Sequence, residues 1–473
     1  MQCCFAGVGY GFDMLNFILS HQYVPSILSL LKNQHHHVDH GFLPINSAVM
    51  IHSILVLVLF SSLPAVTALP GSACDPAKTG TIFEITVSSG SVERFGTVVQ
   101  IPLPADVAPG NYVLESPDGR KNVLQVDPDN TGWLMPGHLP AGHDIRFRFD
   151  TSASRIEIDE GAGDAGYQSG ARVVMHENTL DLLSDGRHVI SFFHGVNNPP
   201  AQLDERYRRG GYIHPVKTPS GTVLSSHLDP ERHPHHSGIW SAWTNTSYQG
   251  RTPDFWNVHQ GTGRVDIEEL ISTWSGGVHA GFESMNRFTD LSSGEAITVL
   301  FEHWKVRVYY LPGNPDYHMF DLEITQNIEG SDPLILPEYR YGGIGFRGHA
   351  DWADHPETTS FLTSEGLGRD GHGTRTRWCH VGGYSEGKPG GVAILGHPSN
   401  YRFPQTVRIH PEEPFFNYAP TQLGDMEIEP GIPYTSRLRF ITYDGEPDPE
   451  LIERLWTDYA RRPPVVQVKV LNE

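Results

Sequence analysis

The chain has 473 residues, enough for two or three domains with a substantial core. Its 36 prolines and 49 glycines, set among short β-branched and aromatic runs, point to an all-β protein with many turns. With 34 basic and 55 acidic side chains the net charge is −21, and no Lys/Arg-rich tract appears, which excludes a broad nucleic-acid-binding surface.

Residues 1–49, including His35-His36-His37, carry no globular pattern and read as an extension upstream of a true start at Met50. Residues 50–68, MIHSILVLVLFSSLPAVTA, have a short apolar core and a small-residue end, the pattern of a signal peptide. The core is shorter than a membrane span requires, although an uncleaved anchor is the alternative. The expectation is a periplasmic or extracellular protein with no other membrane contact. Of the four cysteines, processing would leave Cys74 and Cys379, which could pair, and no CxxC motif occurs.

Residues 75–155 read as a small β domain. TIFEITVSSG, TVVQIPLP, NYVLESPDG and DIRFRFD alternate between Pro, Gly and Asp turn signals. A link at Glu160–Asp164 leads to residues 165–446, where successive strand-like runs predict a large antiparallel β-sandwich. Its clearest hairpin joins Ile297–Tyr310 to Tyr317–Ile328. Residues 447–473 are expected to be a helix and tail. Asp448 can cap, Pro449 opens the helix, and Leu451, Ile452, Leu455, Trp456 and Tyr459 form one apolar stripe.

Two motif matches fail on context. Gly366-Leu-Gly368-Arg-Asp-Gly371 fits GxGxxG, but a strand-like HGTRTRWCHV follows it where a dinucleotide site needs a helix N-terminus. Gly383-Tyr-Ser385-Glu-Gly387 fits the nucleophile elbow, but no helix follows the serine to expose it.

The density of chemistry lies in two stretches. The first runs from His214 and Lys217 through HPHHSGIWSAW (His233–Trp243) to Asp254–Asn257, and the second is PEYRYGGIGFRGHADW, with Glu338 and Arg340. Pro234 precludes a mid-helix reading of HPHH. If that stretch is a regular strand, His233 and His235 face one side and His236 the other, so a bulge or turn is needed to bring all three together. Histidines titrate near neutral pH and can exchange protons with a sugar. The expected catalytic residues are His214, His235 and His236, with Glu338 as the partner carboxylate. Lys217, Trp243, Trp256, Asn257 and Arg340 are expected to bind substrate, the tryptophans by stacking on a sugar ring. For each single His or Trp, a place in the core explains the residue equally well.

The blocks YIHPVKTPSG, HPHHSGIWSAW, DFWN and EYRYGGIGFRG resemble the signature of an uncharacterised bacterial family labelled "methane oxygenase PmoA-like". The resemblance extends from about Glu93, including ERFGTVVQIPLP, and Ser237 stands where it implies a basic residue. A membrane oxygenase would need apolar spans of about twenty residues, and no run after Ala68 approaches that. The resemblance implies a secreted or periplasmic β-rich protein with a fold similar to the galactose-mutarotase supersandwich, which hosts lyases and hydrolases.

The resulting expectation is a carbohydrate-active hydrolase, lyase or epimerase acting on a small-molecule or oligosaccharide substrate by acid–base chemistry, with no cofactor required. One alternative is a metal-dependent oxygenase or hydrolase that holds a divalent or transition metal on the histidines. The other is a non-catalytic glycan-binding protein.

Overall fold

A computed structural model describes residues 80–103, 107–158, 170–313, 316–461 and 465–471. The signal-like segment, Cys74 and the Glu160–Asp164 link lie outside these residues. Alternation of apolar and polar side chains is the rule along the described chain, and it builds three large antiparallel sheets. Residues 76–473 form one compact unit.

The first sheet has seven strands, among them Ile82–Ser88, Lys121–Val126 and Asp144–Asp150, around its own apolar core. Its edge holds a surprise. Val465–Leu471, expected as part of a tail, pairs with Ile82–Ser88 in register from Ile82↔Leu471 to Ser88↔Val465. The sequence VVQVKVL alternates as a strand does, and Val466 and Val468 pack onto that core.

The other two sheets form the expected all-β sandwich. One has nine strands, with Arg187–Phe193, Ile213–Val216, Ile239–Ala242, Gly343–Arg347 and Phe415–Tyr418 among them. The other has eight, including the hairpin of Ile297–Tyr309 with Tyr317–Ile328. Their facing side chains share one core, where Phe192 of the first stacks on Phe282 of the second with ring centroids 4.2 Å apart.

The helix Pro449–Ala460 is capped by Asp448, whose side chain accepts from the Glu450 and Leu451 N–H groups. Its Ile452 and Leu455 cover a further apolar cluster on the eight-stranded sheet. Asp458 also ties this helix to the loop between Ile82–Ser88 and Val99–Pro102, accepting from the Phe95 and Gly96 N–H groups at 2.8 and 3.0 Å. Among the described residues no helix is long and apolar enough to cross a membrane.

Both rejected motifs have ordinary structural roles. Arg369–Gly371 is a single 3-10 turn that leads into a strand. Ser385 closes the hairpin of Trp378–Ser385 with Lys388–Gly396, and its hydroxyl accepts from Trp352 Nε1 at 3.1 Å.

Candidate active site

HPHH is neither a strand nor a bulge within one. His236 N–H donates to the His233 carbonyl at 2.9 Å across a turn at Pro234-His235, which turns all three imidazoles toward one another. The His233 and His236 rings stack with centroids 4.8 Å apart, and His235 meets His236 edge-on at 4.6 Å. The chain leaves the turn through Gly238, at φ +58°, where a Cβ would stand 2.1 Å from the Ile213 carbonyl. Only glycine fits there.

Ile239–Ala242 then divides its side chains by alternation. Ile239 enters the sandwich core, while Trp240 turns to a second apolar cluster with Trp256 and Phe415. Gly345 on the neighbouring strand makes room for the two indoles, since a Cβ would lie 3.0 Å from atoms of both.

These elements enclose a cavity of about 270 Å³. Its histidines are His233, His235 and His236 of the turn, with His259 and His410 from other loops. Trp256, Tyr341 and Phe415 supply aromatic wall, Asn257 a side-chain amide, and Arg340 and Arg408 the charge. Trp256 and Asn257 are fixed by Asp254, whose Oδ1 accepts both backbone N–H groups at 3.0 Å. Asn257 is also held by its side chain, donating to Asp254 Oδ2 and accepting from the Tyr341 hydroxyl at 3.2 Å. Val258, between Asn257 and His259, sits at φ +55°, a strained conformation for a β-branched residue and one that clusters at functional sites.

Behind the turn runs an ion network. Arg347, 1% exposed, reaches Glu413 at 2.8 Å, and Glu413 also pairs with Arg232 at 3.0 Å. Burial raises the Glu413 carboxyl, but the two guanidiniums outweigh it and hold it below the usual range. That carboxylate is therefore committed to its partners.

Burial lowers the basicity of His233, His235, His236 and His410 and holds these rings in the neutral form. Burial, then the neighbouring His233, brings His235 down to about 3. Burial and His235 lower His236 well below its ordinary value. His410 falls to about 4 through burial and Arg408. The His410 Nδ1 accepts the Glu412 and Glu413 N–H groups, so the proton of its neutral ring sits on Nε2. The ring of His235 forms no hydrogen bond with a described residue, which leaves its nitrogens for a ligand.

The structure brings His235, His236, Trp256, Asn257 and Arg340 together and separates the other expected residues from them. Glu338 is exposed, and its backbone N–H donates to Asp425. It does not line the cavity, so the expected partner carboxylate is not there. Trp243 is 1% exposed, and its Nε1 donates to Gln326 at 2.8 Å within the core, so no sugar can stack on it. Lys217 lies apart from the cavity, beside His188, whose basicity is lowered by burial and further by the Lys217 charge.

His214 belongs to a different cluster. It stacks on His227 with centroids 3.9 Å apart and hydrogen-bonds Ser225, while His227 meets the Tyr212 hydroxyl. Burial, then His227, brings His214 to about 3.

Sequence reasoning missed His259, Tyr341, Arg408, His410 and Phe415. One signal was present: Ile409-His410-Pro411 repeats the tripeptide Ile213-His214-Pro215. Among the described residues no three His, Cys, Asp or Glu side chains are grouped so as to hold a metal ion. Cys379 is buried, has no disulfide partner among the described residues, and burial pushes its thiol pKa up, while its pairing with Cys74 lies outside the described residues.

An all-β sandwich carrying a histidine-lined, aromatic-walled cavity is thus the class of protein defined here. The chain belongs to the family described as "Family of unknown function (DUF6807)", which matches residues 179–457 and so contains every residue of the cavity. Comparison with curated proteins finds no match.

Proposed function

We propose that this is an exported carbohydrate-active enzyme that starts its reaction by taking a proton from the substrate with a neutral imidazole, His235. The observation that carries the reading is the convergence of neutral His235 and His236 with Trp256, Asn257 and Arg340 on one cavity. Aromatic walls offer apolar faces to a sugar ring, and the amide and guanidiniums offer hydrogen bonds to its hydroxyls. The volume suits a single monosaccharide unit.

Within that class the lining favours elimination or epimerisation over hydrolysis. Glycoside hydrolysis in its usual form needs two carboxyl groups flanking the bond, and among the described residues no carboxylate lines the cavity. A neutral imidazole is unprotonated, and so free to accept a proton, at any physiological pH. The resemblance to the PmoA-like blocks and the signal-like Met50–Ala68 run support export and a role in sugar chemistry, not oxygenase chemistry in a membrane.

The test is deuterium wash-in. The full chain is incubated in D₂O with a panel of mono- and oligosaccharides, and NMR reads exchange at carbon or an unsaturated product. His235→Ala should fold normally and lose about 10²-fold or more of the turnover. Undiminished turnover in that folded variant would remove the assignment.

A further inference from the structure

We infer that the ligand of this cavity is an anion, a carboxylate-bearing sugar of the uronic acid class, and that Arg340 and Arg408 grip its carboxylate. The sugar part rests on the function proposed above; the charge rests on the arginines alone.

The chain carries 55 carboxylates against 34 basic side chains, yet among the described residues two guanidiniums and no carboxylate line the cavity. Glu413 is already taken by Arg232 and Arg347. Arg408 is half-buried, its Nε is buried without a hydrogen-bond partner, and its Nη1 meets only the His372 ring at 3.4 Å. Arg340 lies over the Tyr339 and Tyr341 rings at 5.9 and 5.5 Å and makes no ion pair with a described residue. After burial, the charge of Arg340 is the largest influence lowering the basicity of Arg408, so the two repel.

Like charges side by side in a partly desolvated cavity are unfavourable until a counter-anion arrives. A guanidinium fork matches a carboxylate through two parallel N–H···O bonds, which a neutral hydroxyl cannot reproduce. The buried His235, His236 and His410 rings add no charge of their own, but His410 can add an Nε2–H donor. The site is thus cationic through its arginines and suited to one small anion.

The test is calorimetric titration of the full chain with D-glucuronate and D-galacturonate, with D-glucose and D-galactose as neutral counterparts and succinate as a carboxylate that is not a sugar. The uronates should bind at least tenfold tighter than the neutral sugars. Arg408→Gln and the exposed Arg340→Gln should each weaken them at least tenfold, with circular dichroism confirming the fold. If Arg408→Gln fails to fold, Arg340→Gln carries the comparison. Neutral sugars binding as tightly, with the glutamine variants unchanged, would overturn the inference and leave the carbohydrate reading standing. Succinate bound through both arginines with no sugar bound would uphold the carboxylate grip and overturn the carbohydrate reading. No binding by any of these probes would overturn both.

Discussion

His235 is held at about 3 by burial and by the imidazole beside it, and that one environment fixes what the residue can do. An imidazole with this affinity for protons is neutral at pH 7, so in the proposed reaction it can act as a base and not as a stored acid. The pH profile of kcat/KM should therefore show no acid limb near 6.5 and stay level down to about pH 5. A limb at an ordinary histidine value would show that His235 is not the titrating base. At Trp243 the expectation is reversed. Trp243→Phe removes the bond to Gln326 and some core volume, so stability should fall by about 1–3 kcal/mol in denaturant titration. Ligand affinity should not change, because the ring does not reach the cavity. At this scale the sequence could show which residue types were concentrated, but not which way each faced. Trp243 and Trp256 look alike in the sequence, yet one packs beneath Gly342 and Gly343 while the other reaches the cavity.

At the scale of elements, the site depends on how one turn is joined to one strand. Pro234 gave warning that HPHH is not helical, but the choice between strand and turn lay in the hydrogen bond from His236 to His233. Gly238 makes that geometry affordable to the backbone. Gly238→Ala, with a Cβ 2.1 Å from a carbonyl oxygen at positive φ, should cost about 1–3 kcal/mol or more and lower Tm measurably. A variant as stable as the parent would mean that the turn can re-form elsewhere. The last strand offers a second check. Ending the chain at Arg461 leaves the Ile82–Ser88 edge unpaired, and an exposed edge both weakens a sheet and invites association. Calorimetry should show a lower Tm and light scattering a larger particle. Alternation made most strands legible, including the long hairpin. The same alternation in VVQVKVL was hidden by its distance, nearly four hundred residues from the strand it pairs with.

For the whole molecule, burial of neutral histidines is a shared design with a consequence in acid. His214, His235 and His380 each stand at about 3 in the folded chain, against 6.5 when unfolded. Below about pH 6.5 the unfolded state takes up protons that the folded state refuses, so the stability these groups support is complete above that pH. It is lost as pH falls toward about 3, at up to about 1.4 kcal/mol per pH unit for each histidine. Chemical denaturation at pH 7 and pH 4.5 should show a clear loss of stability at the lower value. The sandwich was legible because two-residue periodicity reports sheets directly, whereas the cavity draws on loops about 180 residues apart in sequence, from His233 to His410. No local pattern links them. The proposed function assigns catalysis to His235 in this cavity and not to the carboxylate at position 338. It is tested most directly by comparing turnover in His235→Ala and Glu338→Gln, both verified as folded. Near-complete loss is expected in the first and parental turnover in the second; loss confined to Glu338→Gln would contradict the assignment.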